Sequence, residues 1–161
     1  MRRIANLIPA VALFVACTKA DTPPADTSAA IAPAPEAAAP AAAPVTEEMV
    51  SGTWTGTNSP MGSDSIVGHW TQVCGKGSCS GTSQESKITI PSSYTLAGDS
   101  AVGESKPFED PAMKMPKGTK LIDNWVVHFD GNNVKGTGAM KLASKPDSVV
   151  VRYTITGSKK M

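Results

Sequence analysis

Alternation of apolar and polar side chains in the C-terminal third of the chain constrains its fold most strongly. Apolar residues or glycines take every second position in segments 134–143 and 148–156, and one side of segment 121–129 carries Leu121, Trp125, Val127 and Phe129. A period of two places alternate side chains on opposite faces of an extended strand, whereas an amphipathic helix needs a period near 3.6. Turn-forming residues, Asp130-Gly131-Asn132-Asn133 and Lys145-Pro146-Asp147, separate the segments. We therefore predict three consecutive antiparallel strands.

The preceding part of the folded region shows the same pattern. Further strands are predicted at residues 51–57, 65–74, 79–90, 94–97 and 100–108, with turns at 58–63 and 98–99. Such a series predicts an all-β, antiparallel up-and-down meander of about eight strands with little room for a helix. Closure into a barrel removes unpaired strand edges and is the favoured architecture, with a two-sheet β-sandwich as the alternative.

The N-terminus has the organisation of an export signal. Basic residues Arg2 and Arg3 precede an apolar run at residues 4–16. A membrane-spanning helix needs about 20 apolar residues, so this run fits the apolar region of a signal peptide instead. Ordinary secretion would place cleavage near Ala20.

The end of the apolar run, Phe14-Val15-Ala16-Cys17, resembles the lipobox of bacterial lipoproteins. The resemblance implies that residues 1–16 are removed as a signal peptide, that Cys17 is lipidated, and that the lipid anchors the protein to a membrane of the cell envelope. In that family an Asp after the cysteine retains many members in the inner membrane. Thr18 therefore implies the outer membrane, with the protein facing the periplasm or the exterior.

A segment rich in alanine and proline follows the cysteine. Residues 20–45 contain 12 Ala and 6 Pro, and their only large apolar side chains are Ile31 and Val45. Proline at this frequency removes the backbone donors that a helix needs. We predict a disordered tether over residues 17–47 and a single folded domain over residues 48–161.

Two of the three cysteines lie close together in the sequence. Cys74 and Cys79 flank the glycine-rich segment Gly75-Lys76-Gly77-Ser78, which suits a hairpin that places the two side chains opposite each other. In an oxidising envelope compartment this arrangement predicts a disulfide. Redox chemistry or binding of a soft metal is the alternative, although the spacing is not the two-residue one of thioredoxin-like or zinc motifs.

The first predicted strand contains Gly52-Thr53-Trp54, which resembles the Gly-x-Trp motif of lipocalins and other calycins. The resemblance implies a barrel that binds a small apolar or amphipathic ligand. It also implies a basic residue from the last strand stacked on Trp54, for which Arg152 is the candidate, although alternation points Arg152 away from the apolar face. Strand alternation places the candidate ligand-binding or core side chains on the inner face: Trp54, Trp125, Val127, Met140, Val151 and Tyr153.

The longest connection, the 108–120 loop, carries Phe108, Met113 and Met115. Its apolar residues could pack over the barrel end, contact a protein partner, or offer thioethers to Cu(I). The second hypothesis for function rests on the partner contact: an envelope protein-interaction module, such as an inhibitor or assembly factor, acting through this loop.

Few residues point to catalysis, metal binding or nucleic acid. The net charge of +1 lacks the basic surplus of nucleic-acid binders. The chain has no Gly-x-Ser-x-Gly nucleophile motif and no phosphate-binding glycine loop before a helix. His69 and His128 could share a metal only if their strands were adjacent and supplied a third ligand. We therefore predict a non-enzymatic envelope protein without metal or cofactor.

Overall fold

The computed structural model describes residues 43–161. A single-turn helix precedes eight β-strands. The elements are α1 (Glu47–Val50), β1 (Gly52–Pro60), β2 (Gly68–Gly75), β3 (Ser78–Ser83), β4 (Thr89–Ala97), β5 (Ser100–Ser105), β6 (Leu121–Asp130), β7 (Asn133–Leu142) and β8 (Lys145–Lys159). Within this part of the chain, none of the helical structure has the length and hydropathy needed to cross a membrane.

The strands form a closed antiparallel barrel in sequence order. Each strand pairs with the next, and β8 returns to pair with β1 from Trp54↔Lys159 to Pro60↔Tyr153. This closure confirms the predicted all-β up-and-down barrel and excludes the two-sheet sandwich. It also leaves no free strand edge in the barrel wall, so the backbone ladder is continuous around the molecule.

Several strand boundaries differ from the sequence-based prediction: β1 extends to Pro60, β2 begins at Gly68 and β5 ends at Ser105. The predicted strand 79–90 is interrupted after Ser83 by a tight connection in which Lys87 adopts a φ of 57°. The predicted turn at residues 145–147 is also wrong, because β8 begins at Lys145 and the turn lies at residues 143–144. Pro146 is tolerated in β8 because the pairing with β7 is irregular there, jumping from Lys141↔Val149 to Leu142↔Lys145.

The folded unit begins slightly before residue 48. Val45 is buried, and its backbone N–H donates to the Gly98 carbonyl at 2.8 Å. Val50, at the end of α1, is also buried. The last residues assigned to the tether by sequence therefore pack onto the barrel. The predicted signal peptide, Cys17 and the predicted tether up to residue 42 lie outside the described residues.

The up-and-down order of the strands places different connections at the two ends of the barrel. Helix α1 and the turns β2–β3, β4–β5 and β6–β7 lie at one end, here called the closed end. The connections β1–β2, β3–β4 and β7–β8, together with the 108–120 loop, lie at the other, here called the open end. Side chains at alternate positions along every strand point into the barrel between these ends.

Candidate ligand-binding site

The barrel encloses a cavity of about 370 Å³ that extends to the open end. All eight strands contribute to its lining, and most of the lining side chains are aromatic or aliphatic. The six predicted inner-face residues line this cavity: Trp54, Trp125, Val127, Met140, Val151 and Tyr153. An eight-stranded barrel can be filled by its own side chains or can hold a ligand, and here the interior is hollow.

Glycines opposite the large rings explain why the interior stays open. Gly103 is the cross-strand partner of Trp125, and Gly138 is the cross-strand partner of Tyr153. A methyl group at either glycine would overlap atoms of the facing ring. Trp70 lies in the same way against Gly56. Each ring therefore lies flat along the barrel wall instead of projecting across the cavity.

The closed end is built around Trp54, which is 3% exposed. Its indole N–H donates to the Val50 carbonyl at 2.8 Å, which ties β1 to the end of α1. Phe129 packs edge-on against the indole with ring centroids 5.2 Å apart. Lys159 places its Nζ 5.4 Å from the centroid of the Trp54 ring. These contacts seal the closed end with apolar and aromatic side chains.

Lys159, and not Arg152, is the basic residue that β8 places over Trp54. Arg152 pairs with Ala139 and is exposed on the outer face of the barrel, as its alternation indicated. Lys159 is the partner of Trp54 across the β1–β8 junction. The assignment of Arg152 is therefore wrong, because the register at barrel closure brings the end of β8, seven residues further on, beside the start of β1.

A carboxylate secures the closed end from outside the cavity. Glu47 accepts hydrogen bonds from the Tyr94 hydroxyl at 2.6 Å, from the Ser51 hydroxyl at 3.3 Å and from the Lys76 backbone N–H. The bond from Tyr94 is the main reason that the pKa of Glu47 is lowered. Burial, followed by the hydrogen bond to Glu47, raises the pKa of Tyr94 to about 12. Helix α1 is thereby joined to β4 and to the β2–β3 turn.

The 108–120 loop turns its apolar residues towards the barrel. Phe108 is buried and forms a bridge with Leu121, with backbone hydrogen bonds of 2.8 and 2.9 Å. Met113 is half-buried and lines the cavity, whereas Met115 does not belong to the lining. An ion pair of 2.8 Å between Lys120 and Glu109 holds the base of the loop. Met113 thus covers part of the open end.

Asp123 is a carboxylate in the cavity wall that contacts Tyr153. Asp123 lines the cavity, and the Tyr153 hydroxyl donates one bifurcated hydrogen bond to it, with both carboxylate oxygens 2.6 Å from the hydroxyl oxygen. Desolvation raises the pKa of Asp123 to about 7, and the bond from Tyr153 opposes this rise. Burial and the neighbouring carboxylate raise the pKa of Tyr153 well above its usual value. Asp123 is therefore a titratable group within the mostly apolar wall of the cavity.

The two histidines lie at different ends of the barrel. His69 pairs with Thr57 near the open end, and its Nδ1 lies 2.9 Å from Glu85. His128 lies near the closed end, where its Nδ1 is 3.0 Å from the Ser100 hydroxyl and 3.4 Å from Asp99. Their separation excludes a shared metal site. Among residues 43–161, no group of three His, Cys, Asp or Glu residues is arranged to hold a metal ion.

Cys74 and Cys79 form a disulfide between β2 and β3. The two residues are direct partners in the β2–β3 ladder, as the hairpin prediction required. Cys79 is buried, and Cys74 contributes to the cavity lining. The disulfide is confirmed, and it fixes part of the cavity wall.

Asp123 and Trp70 are two of the lining residues that sequence analysis did not assign to the site. Asp123 belongs to the same alternating row as Trp125 and Val127, so its inward position was available from the pattern. Its charge argued against including it in an apolar face. Trp70 follows His69 in β2, and alternation with Cys74 would have placed it inside. Neither residue could be given a role before the cavity and its neighbours were known.

Comparison with protein families, with characterised proteins and with solved structures finds no match to this chain.

Proposed function

We propose that this protein is a lipid-anchored, non-enzymatic envelope protein that binds a small apolar or amphipathic molecule inside its barrel. The observation that carries the proposal is the cavity of about 370 Å³ enclosed by the strands. Its volume falls within the range of about 300–1,000 Å³ typical of small-molecule sites. The Cys17 anchor would hold this binding domain near the membrane surface.

The composition of the wall supports binding of a largely apolar molecule. The half-buried rings of Trp70 and Trp125 line the cavity, so a ligand could cover their remaining exposed surface. Burial of apolar surface contributes about 25 cal/mol per Å² of area removed from water.

The 108–120 loop supports ligand binding more directly than partner binding. Phe108 is buried and Met113 faces the cavity, so neither residue is displayed as an apolar tip for another protein. Their positions suit a loop that covers a bound molecule. For partner contact through this loop, Phe108 and Met113 would have to leave these positions.

Titration of tryptophan fluorescence tests the proposed binding. We expect the tryptophan fluorescence of the full-length chain carrying Cys17→Ser to change saturably on addition of 1-decanol, decylamine or decanoate, because Trp70 and Trp125 line the cavity. Gly81→Leu should abolish the change, since Gly81 lines the cavity and has only ordinary contacts at its Cβ position.

Val73→Leu is the matched control, because Val73 lies on the same hairpin but is exposed on the outer face. It should bind like the parent chain. Absence of saturable binding by all three probes, with the barrel shown to be folded by circular dichroism, would overturn the proposed function.

A further inference from the structure

We propose that the ligand is a cationic amphiphile whose amine pairs with Asp123 while its apolar body lies along the aromatic wall. This proposal rests on the proposed ligand-binding function. The selectivity of the cavity would thus be for a positively charged molecule, not for a fatty acid. The charge of the lining, the position of Asp123 and the surrounding rings support this assignment independently.

The charged side chains that line the cavity are predominantly acidic. They comprise the carboxylates Asp123, Glu85 and Asp110, and no Lys or Arg is present among the described lining residues. The single basic candidate, His69, lies 2.9 Å from Glu85 at the open end and is already engaged there. A bound carboxylate would find no cation and would be repelled, whereas an ammonium group would find uncompensated negative charge.

Asp123 is placed to receive such a group. It lies two residues from the start of β6, near the open end, and both of its oxygens bond to one neutral donor, the Tyr153 hydroxyl. Each carboxylate oxygen can accept a further hydrogen bond. An ionised carboxylate removed from water is unfavourable without a cationic partner, so an incoming amine would supply the missing charge.

The apolar wall continues from Asp123 towards the closed end. Trp125, Val127 and Phe129 follow on the same inward row of β6 and line the cavity. An amphiphile with its amine at Asp123 would therefore direct its chain along this row. The ring of Trp125, next to Asp123 in the row, could add a cation–π contact to the ammonium group.

The protonation of Asp123 makes the predicted binding depend on pH. The groups that face it are neutral: Tyr153 from β8, Met140 as its partner in β7, and Ser105 from β5, whose hydroxyl accepts the Asp123 backbone N–H at 2.9 Å. The other titratable lining groups, Glu85, His69 and Asp110, also lie at the open end, and none of them is among the causes of the shifted pKa of Asp123. Desolvation raises the pKa of Asp123 to about 7. The cation would bind the ionised form, so affinity should rise with pH.

Three probes with the same ten-carbon chain separate charge from apolar burial. With the full-length Cys17→Ser chain at pH 8, decylamine should bind roughly tenfold or more tightly than 1-decanol, and decanoate should bind most weakly. Between pH 6 and pH 8 the decylamine affinity should increase about tenfold, following the ionised fraction of a group with a pKa near 7. The affinity for 1-decanol should change little.

Substitutions at Asp123, Asp130 and Tyr153 test whether the preference for decylamine and its pH dependence come from the Asp123 carboxylate. Asp123→Asn should abolish the preference for decylamine over 1-decanol and its pH dependence, yet keep binding of 1-decanol. Asp130→Asn makes the same chemical change at the exposed end of β6 and should leave all three affinities unchanged. Tyr153→Phe should move the pH midpoint upward, because the Tyr153 hydrogen bond lowers the pKa of Asp123.

The outcomes distinguish this assignment from the broader binding role. Saturable binding of all three probes without preference for decylamine would overturn the cationic assignment and leave ligand binding intact. A preference for decylamine that persists in Asp123→Asn would also overturn it. Absence of binding by every probe would remove the proposed function and the assignment together.

Discussion

At the scale of single residues, Asp123 shows how a binding group can oppose the stability of its own fold. Its pKa rises from 3.8 to about 7 because the barrel removes the carboxylate from water. Between these pH values the native state holds the proton more tightly than the unfolded chain does. The contribution of Asp123 to the free energy of unfolding therefore falls as pH rises from about 4 to 7 and stays low above pH 7.

Asp123→Asn should remove this pH-dependent destabilisation. We expect the variant to exceed the parent chain in free energy of unfolding by on the order of 2–4 kcal/mol at pH 8, since one pKa unit corresponds to about 1.4 kcal/mol. Near pH 4 the two should be similar, because the parent carboxyl is then protonated in the folded state. Urea denaturation from pH 4 to pH 8 measures the difference. A difference that is constant across this range would contradict the raised pKa.

At the scale of elements, pairs of glycine and aromatic residues on adjacent strands determine the shape of the interior. Trp125 rests on Gly103 and Tyr153 rests on Gly138, each across a strand pair. These glycines leave room for a ring to lie along the wall. In isolation, a glycine on an inward position indicates either a gap or space for a neighbour. In this barrel it supplies space for a neighbour and thereby preserves the central gap.

Gly103→Ala tests this role of the strand pairs. The added methyl group would overlap the Trp125 ring and push it into the cavity, so we expect a loss of about 1–3 kcal/mol in the free energy of unfolding and weaker binding of 1-decanol. Gly81→Ala is the control for stability, because a Cβ there makes only ordinary contacts of 3.8 and 3.9 Å. Equal free energies of unfolding for the two variants would show that the position of the Trp125 ring does not depend on the absence of a side chain at Gly103.

At the scale of the whole molecule, the proposed anchor and the barrel divide the functions between separate parts of the chain. The folded unit begins at Val45, and the barrel cavity opens at the end that carries the 108–120 loop. The lipobox resemblance lies in the N-terminal segment, with alanine- and proline-rich sequence between the two. Membrane attachment and ligand binding should therefore be separable by mutation.

Cys17→Ser should transfer the protein from the membrane fraction to the soluble fraction of the envelope, because it removes the thiol that would be acylated. The double variant Cys74→Ser, Cys79→Ser is the matched control, since it replaces cysteines but leaves Cys17 in place. Cell fractionation followed by immunoblotting measures the distribution. Retention of Cys17→Ser in the membrane fraction would refute the lipid anchor.

The strands and their faces were largely predictable from local pattern. Alternation along β6 and β8 placed Trp125, Val127 and Tyr153 inside, and the spacing of Cys74 and Cys79 predicted their disulfide. The errors occur where local signals compete with pairing. Lys145-Pro146-Asp147 has turn chemistry, yet the irregular β7–β8 register accommodates it as strand.

The sequence alone determined a chain of about eight short strands with identifiable inner faces, since side-chain alternation is a local consequence of backbone geometry. The tertiary structure decided whether those faces enclose a cavity. Barrel closure sets β1 against β8 in a register that brings Lys159, not Arg152, to Trp54. Strand pairing likewise places each ring against its glycine and Asp123 against Tyr153. Such contacts join residues distant in sequence, so only the closed fold specifies the cavity and the environment of its carboxylate.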